Sequence, residues 1–314
     1  MIPSSAMVWS FEPILLSSLS SEQRVSTLLL FSQAVWDFYR QHGRPFPWRE
    51  TSDPYAVLLS ELMLQQTQTQ RVLPKYVEFL SVWPDFQSMA ASSLLEVLTR
   101  WKGLGYNRRA LALRTIASAT ETFGWTLPDD QAQLLQFPMI GSSTAAAILA
   151  FCHGQPSVYL ETNIRRVLIH QFFPGEEKVE DKNLRPILQE LINLQTDFKH
   201  WYYALMDLGV YFKKNLANPN RRSAQYVLQG KFENSNRQIR GMLLLLFTER
   251  GSLRKDQLYE SLPFEPERID ECLEALRKEG FIQNLTDRGF TKGSPLVAED
   301  GPLYGIPSEI DKRN

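Results

Sequence analysis

The stretch that most limits what this chain can fold into is residues 137–168, FPMIGSSTAAAILAFCHGQPSVYLETNIRRVL. It opens on a turn, Pro138-Met139-Ile140-Gly141, and passes through the small residues Ser142, Ser143 and Thr144. An Ala-rich segment then predicts a helix from Thr144 to about Phe151, broken by Gly154-Gln155-Pro156. A lone carboxylate, Glu161, follows, then Thr162-Asn163 and the basic pair Arg165-Arg166. A turn that opens a helix presents backbone N–H groups and the positive end of the helix dipole, which suits a phosphate. Ala145, Ala146 and Ala147 would let another backbone approach closely. A carboxylate one short helix and one turn from an anion site is a layout for gripping a nucleic-acid backbone while stabilising charge on the nucleotide. Pro-x-x-Gly turns before Ala-rich helices are also common in all-α proteins, so this stretch alone admits a purely structural role.

The surrounding sequence reads as helices. Apolar stripes predict them over 25–41, from Asp53-Pro54 to about Gln65, and over 72–80, 94–101, 108–123, 167–173, 184–194 and 198–208, while 131–137 leads into the turn at Pro138. Asp53 would cap its helix with Pro54 at the first helical position. No period-two alternation lasts long enough for a sheet. Glu61 lies among Leu58, Leu59, Leu62, Met63 and Leu64. If it is buried there, its pKa rises and it can donate a proton near neutrality; if it faces solvent or pairs with an arginine, it is structural. Gln65, Gln66, Thr67 and Gln68 end that helix in amides and a hydroxyl able to probe base edges or to cap the helix. Trp48 is expected in the core.

Several motifs now line up. Phe137-Pro138-Met139-Ile140-Gly141-Ser142-Ser143-Thr144-Ala145 resembles the helix-hairpin-helix of the endonuclease III and adenine DNA glycosylase superfamily, L-P-G-V-G-x-x-T-A, with Met139 in place of the first glycine. Glu161-Thr162-Asn163-Ile164-Arg165-Arg166-Val167 falls where that family reads D-G-N-V-x-R-V. Pro47-Trp48-Arg49, Asp53-Pro54-Tyr55, Ser60 through Gln68 and Gly103-Leu104-Gly105-Tyr106 are similar to the adenine glycosylase branch. The resemblance covers roughly residues 30–215 and implies an all-α, two-lobed helix-hairpin-helix glycosylase fold whose lobes flank a cleft. It implies Glu61 as the acid that protonates the departing base. Glu161, beside Asn163, would stabilise the oxocarbenium-like sugar. The implied DNA contacts are Gln65, Gln66 filling the gap left by a flipped nucleotide, Tyr106 wedged between bases, Arg109, the hairpin residues Ile140, Gly141, Ser143 and Thr144, and Arg166.

Four departures qualify it. The residues after Met206-Asp207-Leu208-Gly209, where the family carries a four-cysteine loop, read Val210-Tyr211-Phe212-Lys213-Lys214-Asn215, and the chain has two cysteines, Cys152 and Cys272. The iron–sulfur cluster is therefore expected to be absent, with no other cofactor or metal. Glu161 replaces an aspartate, shifting the carboxylate by roughly an ångström, a displacement that can cost about a hundredfold in rate. Ser143 stands where bifunctional members carry a lysine, so strand cleavage through a Schiff base is not expected. The family's C-terminal domain is not recognisable. Residues 235–292 instead predict three helices (237–249, 255–262 and 267–280) and a small hairpin over 281–292 around Asp287-Arg288-Gly289, a winged-helix-like α+β domain; its third helix is acidic, a poor face for reading DNA.

With a net charge of −1, no global field draws in nucleic acid, but residues 97–120 and 208–231 contain no acids, which fits one phosphate-facing side. The domain plan is a flexible segment 1–25, a glycosylase domain 26–230, the winged-helix-like domain 235–292 and a tail 293–314. The expected function is that of a monofunctional DNA glycosylase in base excision repair, releasing a mispaired or damaged base, adenine first, from double-stranded DNA. It is expected to be a monomer without membrane association, cytoplasmic and nucleoid-associated. The alternatives are a catalytically impaired damage-binding protein of glycosylase ancestry and, less in keeping with the motifs, an unrelated helical interaction protein.

Overall fold

A computed structural model of the chain describes residues 11–228, 230–286 and 301–307. In chain order the helices are α1 Ser21–His42, α2 Pro54–Leu64, α3 Thr69–Val82, α4 Phe86–Ala91, α5 Leu94–Trp101, α6 Arg108–Ala119, α7 Gln131–Leu134, α8 Ser142–His153, α9 Thr162–Phe172, α10 Asp181–Asn193, α11 Phe198–Asn215, α12 Asn236–Arg250, α13 Lys255–Ser261 and α14 Pro266–Lys278. Three short strands, β1 Leu253–Arg254, β2 Gln283–Asn284 and β3 Leu303–Gly305, form one sheet in the order β1-β3-β2. Local chemistry sets many boundaries. Reciprocal capping boxes, Ser20 with Gln23, Asp85 with Ser88 and Ser93 with Glu96, start α1, α4 and α5 by satisfying N–H groups that have no intrahelical acceptor. The chain divides into two compact units, Met1–Val57 with Pro128–Leu228, and Leu58–Leu127 with Gln229–Asn314.

In the first unit α9 lies on α11, and α1 and α10 pack around them. Phe31, Val35 and Phe38 of α1 share a core with Ile164 and Leu168 of α9, Leu188 of α10 and Trp201, Leu205 and Leu208 of α11. A buried ion-pair cluster ties the loop after α1 to α11. Arg49 forks onto Asp207 with both bonds at 2.8 Å, and Arg44 Nε donates to the same carboxylate at 2.7 Å. Both Arg49 and Asp207 are buried, so each charge depends on its partner. Trp48 is in the core as expected, stacked on Phe46.

In the second unit α4 packs on α6, and α12 packs on α14 and α5. Glu279, just past α14, receives Arg108 from α6 and Arg240 from α12, and these two guanidinium groups hold its carboxyl down at about 2. Lys102 reaches Glu249 at 2.7 Å. Residues 229–314 group with 58–127 in this unit.

Several expectations are adjusted. The small sheet pairs β2 antiparallel with β3, Asn284 opposite Tyr304, and β1 also pairs with β3, Leu253 opposite Tyr304. The second strand of the anticipated hairpin therefore comes from residues beyond 300, and Asp287-Arg288-Gly289 lie outside the described residues. Helix α9 starts at Thr162 rather than near Val167, α11 continues to Asn215, and α4 was not foreseen.

Candidate functional site

In the first unit the turn after α7 delivers the chain to α8. Gly141 is the cap of α8 in extended conformation, and the first intrahelical bond runs from Ala145 N–H to the Gly141 carbonyl at 2.9 Å. The backbone N–H groups of Ser142 and Ser143 precede that bond, as an anion-binding helix start requires. Met139 holds φ 62°, the left-handed region where glycine is at home. The structure thus supplies the physical reason for a glycine there and shows the turn made without one. The side chains of Ile140 and Thr144 are buried, and the Ile140 N–H already donates to the Phe137 carbonyl. Their side chains therefore pack the hairpin, and a DNA contact at these positions would be made by backbone.

The segment from α8 to α9 is braced at several points. Ser143 Oγ donates to the Leu160 carbonyl at 3.2 Å and Ser157 Oγ to the Ala146 carbonyl at 2.6 Å. The Tyr202 hydroxyl accepts from Tyr159 N–H and donates to the Ser157 carbonyl. These bonds fix Glu161, which caps α9: its Oε1 accepts from Asn163 N–H at 2.6 Å and Ile164 N–H at 2.9 Å. Its Oε2 lies 3.2 Å from Asn163 Nδ2. Burial pushes the Glu161 carboxyl above its ordinary value, against the two backbone donors and the charges of Arg166 and Arg165.

Asn163 in turn is held by Arg166, whose Nη1 donates to Asn163 Oδ1 at 2.6 Å and to the Gly209 carbonyl at 2.9 Å. Arg166 is 3% exposed, so the expectation of a DNA contact there is corrected: it orients the residue that touches Glu161. Arg165 is committed to Asp181 at 2.7 Å. Gly209 explains how α9 can sit so close to α11, because a Cβ there would lie 2.3 Å from the Asn163 carbonyl oxygen. Gly209→Ala is expected to push the start of α9 outward and cost about 1–3 kcal/mol as overpacking does. Urea unfolding of the variant checks this.

In the second unit Glu61 is half-buried on α2 between the buried side chains of Ser60 and Leu62. Beyond α2, Gln66 is exposed at φ 56°, and Tyr106 is 40% exposed at φ 48°. Non-glycine residues held in this region store strain of about 1–3 kcal/mol each and cluster at functional sites. Arg109 is the largest correction. At 1% exposure it cannot be a DNA contact. Its Nη1 donates to the carbonyls of Leu62, Met63 and Gln65 at 2.8, 2.9 and 2.6 Å. Its Nη2 donates to Thr67 Oγ1 and to the carbonyls of Leu104 and Gly105 at 3.1, 3.1 and 2.9 Å. One guanidinium therefore joins the end of α2 to the Gly103–Tyr106 turn, with the Tyr106 ring 5.4 Å away. Burial lowers its pKa to about 10, which leaves it charged at neutrality. Sequence reasoning missed Arg237, whose Nη1 is 3.5 Å from the Tyr106 hydroxyl.

The turn into α8, the capped carboxylate of α9 and the helical body around them define a helix-hairpin-helix protein. Residues 59–193 match the family described as HhH-GPD superfamily base excision DNA repair protein. The adenine DNA glycosylase of Buchnera aphidicola subsp. Baizongia pistaciae is 35% identical over 188 residues, 58% of this chain and 53% of that protein. The Mycolicibacterium smegmatis adenine DNA glycosylase is 28% identical over 271 residues, 81% of this chain and 92% of that one. A thermostable thymine-DNA glycosylase structure superposes with a TM-score of 0.54 at 25% identity, over 59% of this chain and 86% of that one. The chain spans about half the length of the Buchnera relatives. Residues 59–193 are a domain of the HhH-GPD superfamily of base excision DNA repair proteins. Among the described residues no helix is long and apolar enough to cross a membrane.

Proposed function

We propose that the protein is a monofunctional DNA glycosylase of base excision repair that hydrolyses the N-glycosidic bond of a flipped base, adenine in a mispair, in double-stranded DNA. The observation that carries the reading is the capping of α9 by Glu161, with both oxygens engaged by Asn163 and Ile164 at 2.6–3.2 Å and Asn163 locked by Arg166. A carboxylate fixed in this way can stabilise positive charge on the sugar without reorganising. Glu61 protonates the departing base, and the N–H groups at the start of α8 hold a backbone phosphate. Gln66 and Tyr106 enter the stack. Ser143 offers a hydroxyl and no amine, so base release proceeds without strand cleavage. This chain works as a monomer and without an iron–sulfur cluster, since its two cysteines cannot supply four thiolates; Lys213 and Lys214 at the end of α11 take the phosphate-facing place of that loop. The C-terminal segment is a winged-helix-like module.

Single-turnover assays on a panel of mispaired and damaged duplexes test this. Base release from an adenine mispair with no strand scission is expected. Glu161 acts ionised, and burial raises its pKa, so the rate should fall on the acid side at a higher pH than an ordinary carboxylate would give. Intact bases across the panel would overturn the reading. The raised pKa of Glu161 and the added methylene favour a second reading, a weakened enzyme that senses damage. A faster Glu161→Asp variant would establish the weakened enzyme.

A further inference from the structure

The C-terminal segment has two faces of opposite character. Helix α14 carries Glu267, Asp270, Glu271 and Glu274. Asp270 is held by Lys255 at 2.8 Å and by the Tyr259 hydroxyl at 2.9 Å, Glu274 by Arg277 at 2.8 Å, and Glu279 beyond the helix by Arg108 and Arg240. Asp270, Glu274 and Glu279 already have cations of their own, and Glu267 and Glu271 repel phosphate. The approach to α12 is different. Between Gln229 and Thr248 the sequence has one acid, Glu233, against Lys231, Arg237 and Arg240, and Arg240 is spent on Glu279.

Arg237 stands at the start of α12. Its Nη2 donates to the carbonyls of Gly230 at 2.7 Å and Lys231 at 3.3 Å, which fixes the guanidinium without neutralising it. No carboxylate pairs with it among the described residues. Its Nη1 points to the Tyr106 hydroxyl at 3.5 Å. Arg268 is oriented nearby by Asn234, through Oδ1 at 2.7 Å and the carbonyl at 3.0 Å. Helix α12 also backs the turn that carries Tyr106: Gly241, Leu244 and Leu245 line a cleft of about 270 Å³ together with Gly103, Gly105 and Asn107. The residue next to the exposed aromatic is thus a preoriented cation, without a carboxylate partner among the described residues, supplied by the C-terminal segment.

We infer that the C-terminal segment meets duplex DNA through Arg237, as a phosphate contact beside Tyr106, and not through α14. This rests on the reading of Tyr106 as the residue that enters the stack. A cation fixed by two carbonyls keeps a guanidinium edge for a phosphate oxygen, and charge of this kind reports itself as counterion release. The contact strengthens binding at the invaded step without reading the base.

The test is the salt dependence of binding to a mispaired duplex, measured with the full chain. Arg237→Gln keeps an amide donor on a shorter side chain and loses the charge. It is expected to weaken binding about tenfold and to lower the slope of log K against log[salt] by about one. Arg237→Lys should restore the slope. The loss should be the same whichever base stands opposite. An unchanged slope in Arg237→Gln, no recovery in Arg237→Lys, or a loss confined to one opposite base overturns the phosphate contact while leaving the proposed glycosylase intact. Wild-type protein with no salt-dependent DNA affinity overturns both.

Discussion

Glu61→Gln is expected to bind a mispaired duplex as tightly as the wild-type protein and to release almost no base. The amide keeps the shape and the acceptor of the carboxyl but has no acidic proton to give. General acid catalysis contributes about 10²–10⁴ in rate, and a purine leaving as an anion depends heavily on it. Single-turnover excision with quenched samples over long times measures the loss, and fluorescence anisotropy on the same duplex measures binding. The setting supports the role. Glu61 is half-buried between side chains that are fully buried, and the carbonyls of Leu62 and Met63 immediately after it are pinned by Arg109. The carboxyl therefore sits on a rigid piece of backbone. Turnover at the wild-type rate in Glu61→Gln would remove Glu61 from the mechanism and leave base departure to some other donor.

What could be read in advance differs from residue to residue, for physical reasons. Helix existence was legible, because apolar stripes at helical spacing report burial directly: α1, α5 and α12 lie within a few residues of their expected spans. Helix α4 was not, since six residues carry too little periodicity and its start depends on the reciprocal bonds of Asp85 and Ser88. The start of α9 was misjudged because a glutamate is a poor capping residue by preference; only the coordinates show Glu161 reaching the N–H groups of Asn163 and Ile164. Site chemistry divides along the same line. The residues named from motifs, Glu61, Gln66, Tyr106 and Glu161, include two held at positive φ, a conformation no composition predicts. The arginines were read wrongly. Arg109 and Arg166 stand in basic stretches, and a string of letters does not distinguish a guanidinium that faces phosphate from one turned inward to bind carbonyls. Gly209 belongs with them: its importance lies in a close approach to Asn163, forty-six positions away in the chain (209 − 163), and is invisible locally.

Arg109→Ala is expected to destabilise the second unit by about 1.5–3 kcal/mol or more, since hydrogen bonds made by a charged donor contribute on that scale. Truncation takes a donor from the carbonyls of Leu62, Met63, Gln65, Leu104 and Gly105. Gly105 keeps Trp101 Nε1, and Gln65 and Leu104 keep the longer bonds of Thr67 Oγ1; a buried acceptor left without a partner costs about 1–3 kcal/mol. The effect on DNA binding follows from the same bonds. The two ends that Arg109 joins carry Gln66 and Tyr106, both at positive φ, and such conformations persist only when the surroundings overdetermine them. Releasing the joint lets both relax toward ordinary backbone angles, so the side chains proposed to enter the DNA stack lose their preset positions. Arg109→Lys is the informative companion. Its ammonium has three donors against five in a fixed fork and cannot span both carbonyl sets, so it should retain part of the stability but little of the binding. Urea midpoints at neutral pH measure the first quantity, and affinity for a mispaired duplex measures the second. An Arg109→Ala protein with a wild-type midpoint would show that water satisfies those carbonyls, and the two segments would then need another tie. Wild-type affinity in Arg109→Lys would separate the positions of Gln66 and Tyr106 from the buried fork and place their control in the contacts of α12 with the Gly103–Tyr106 turn.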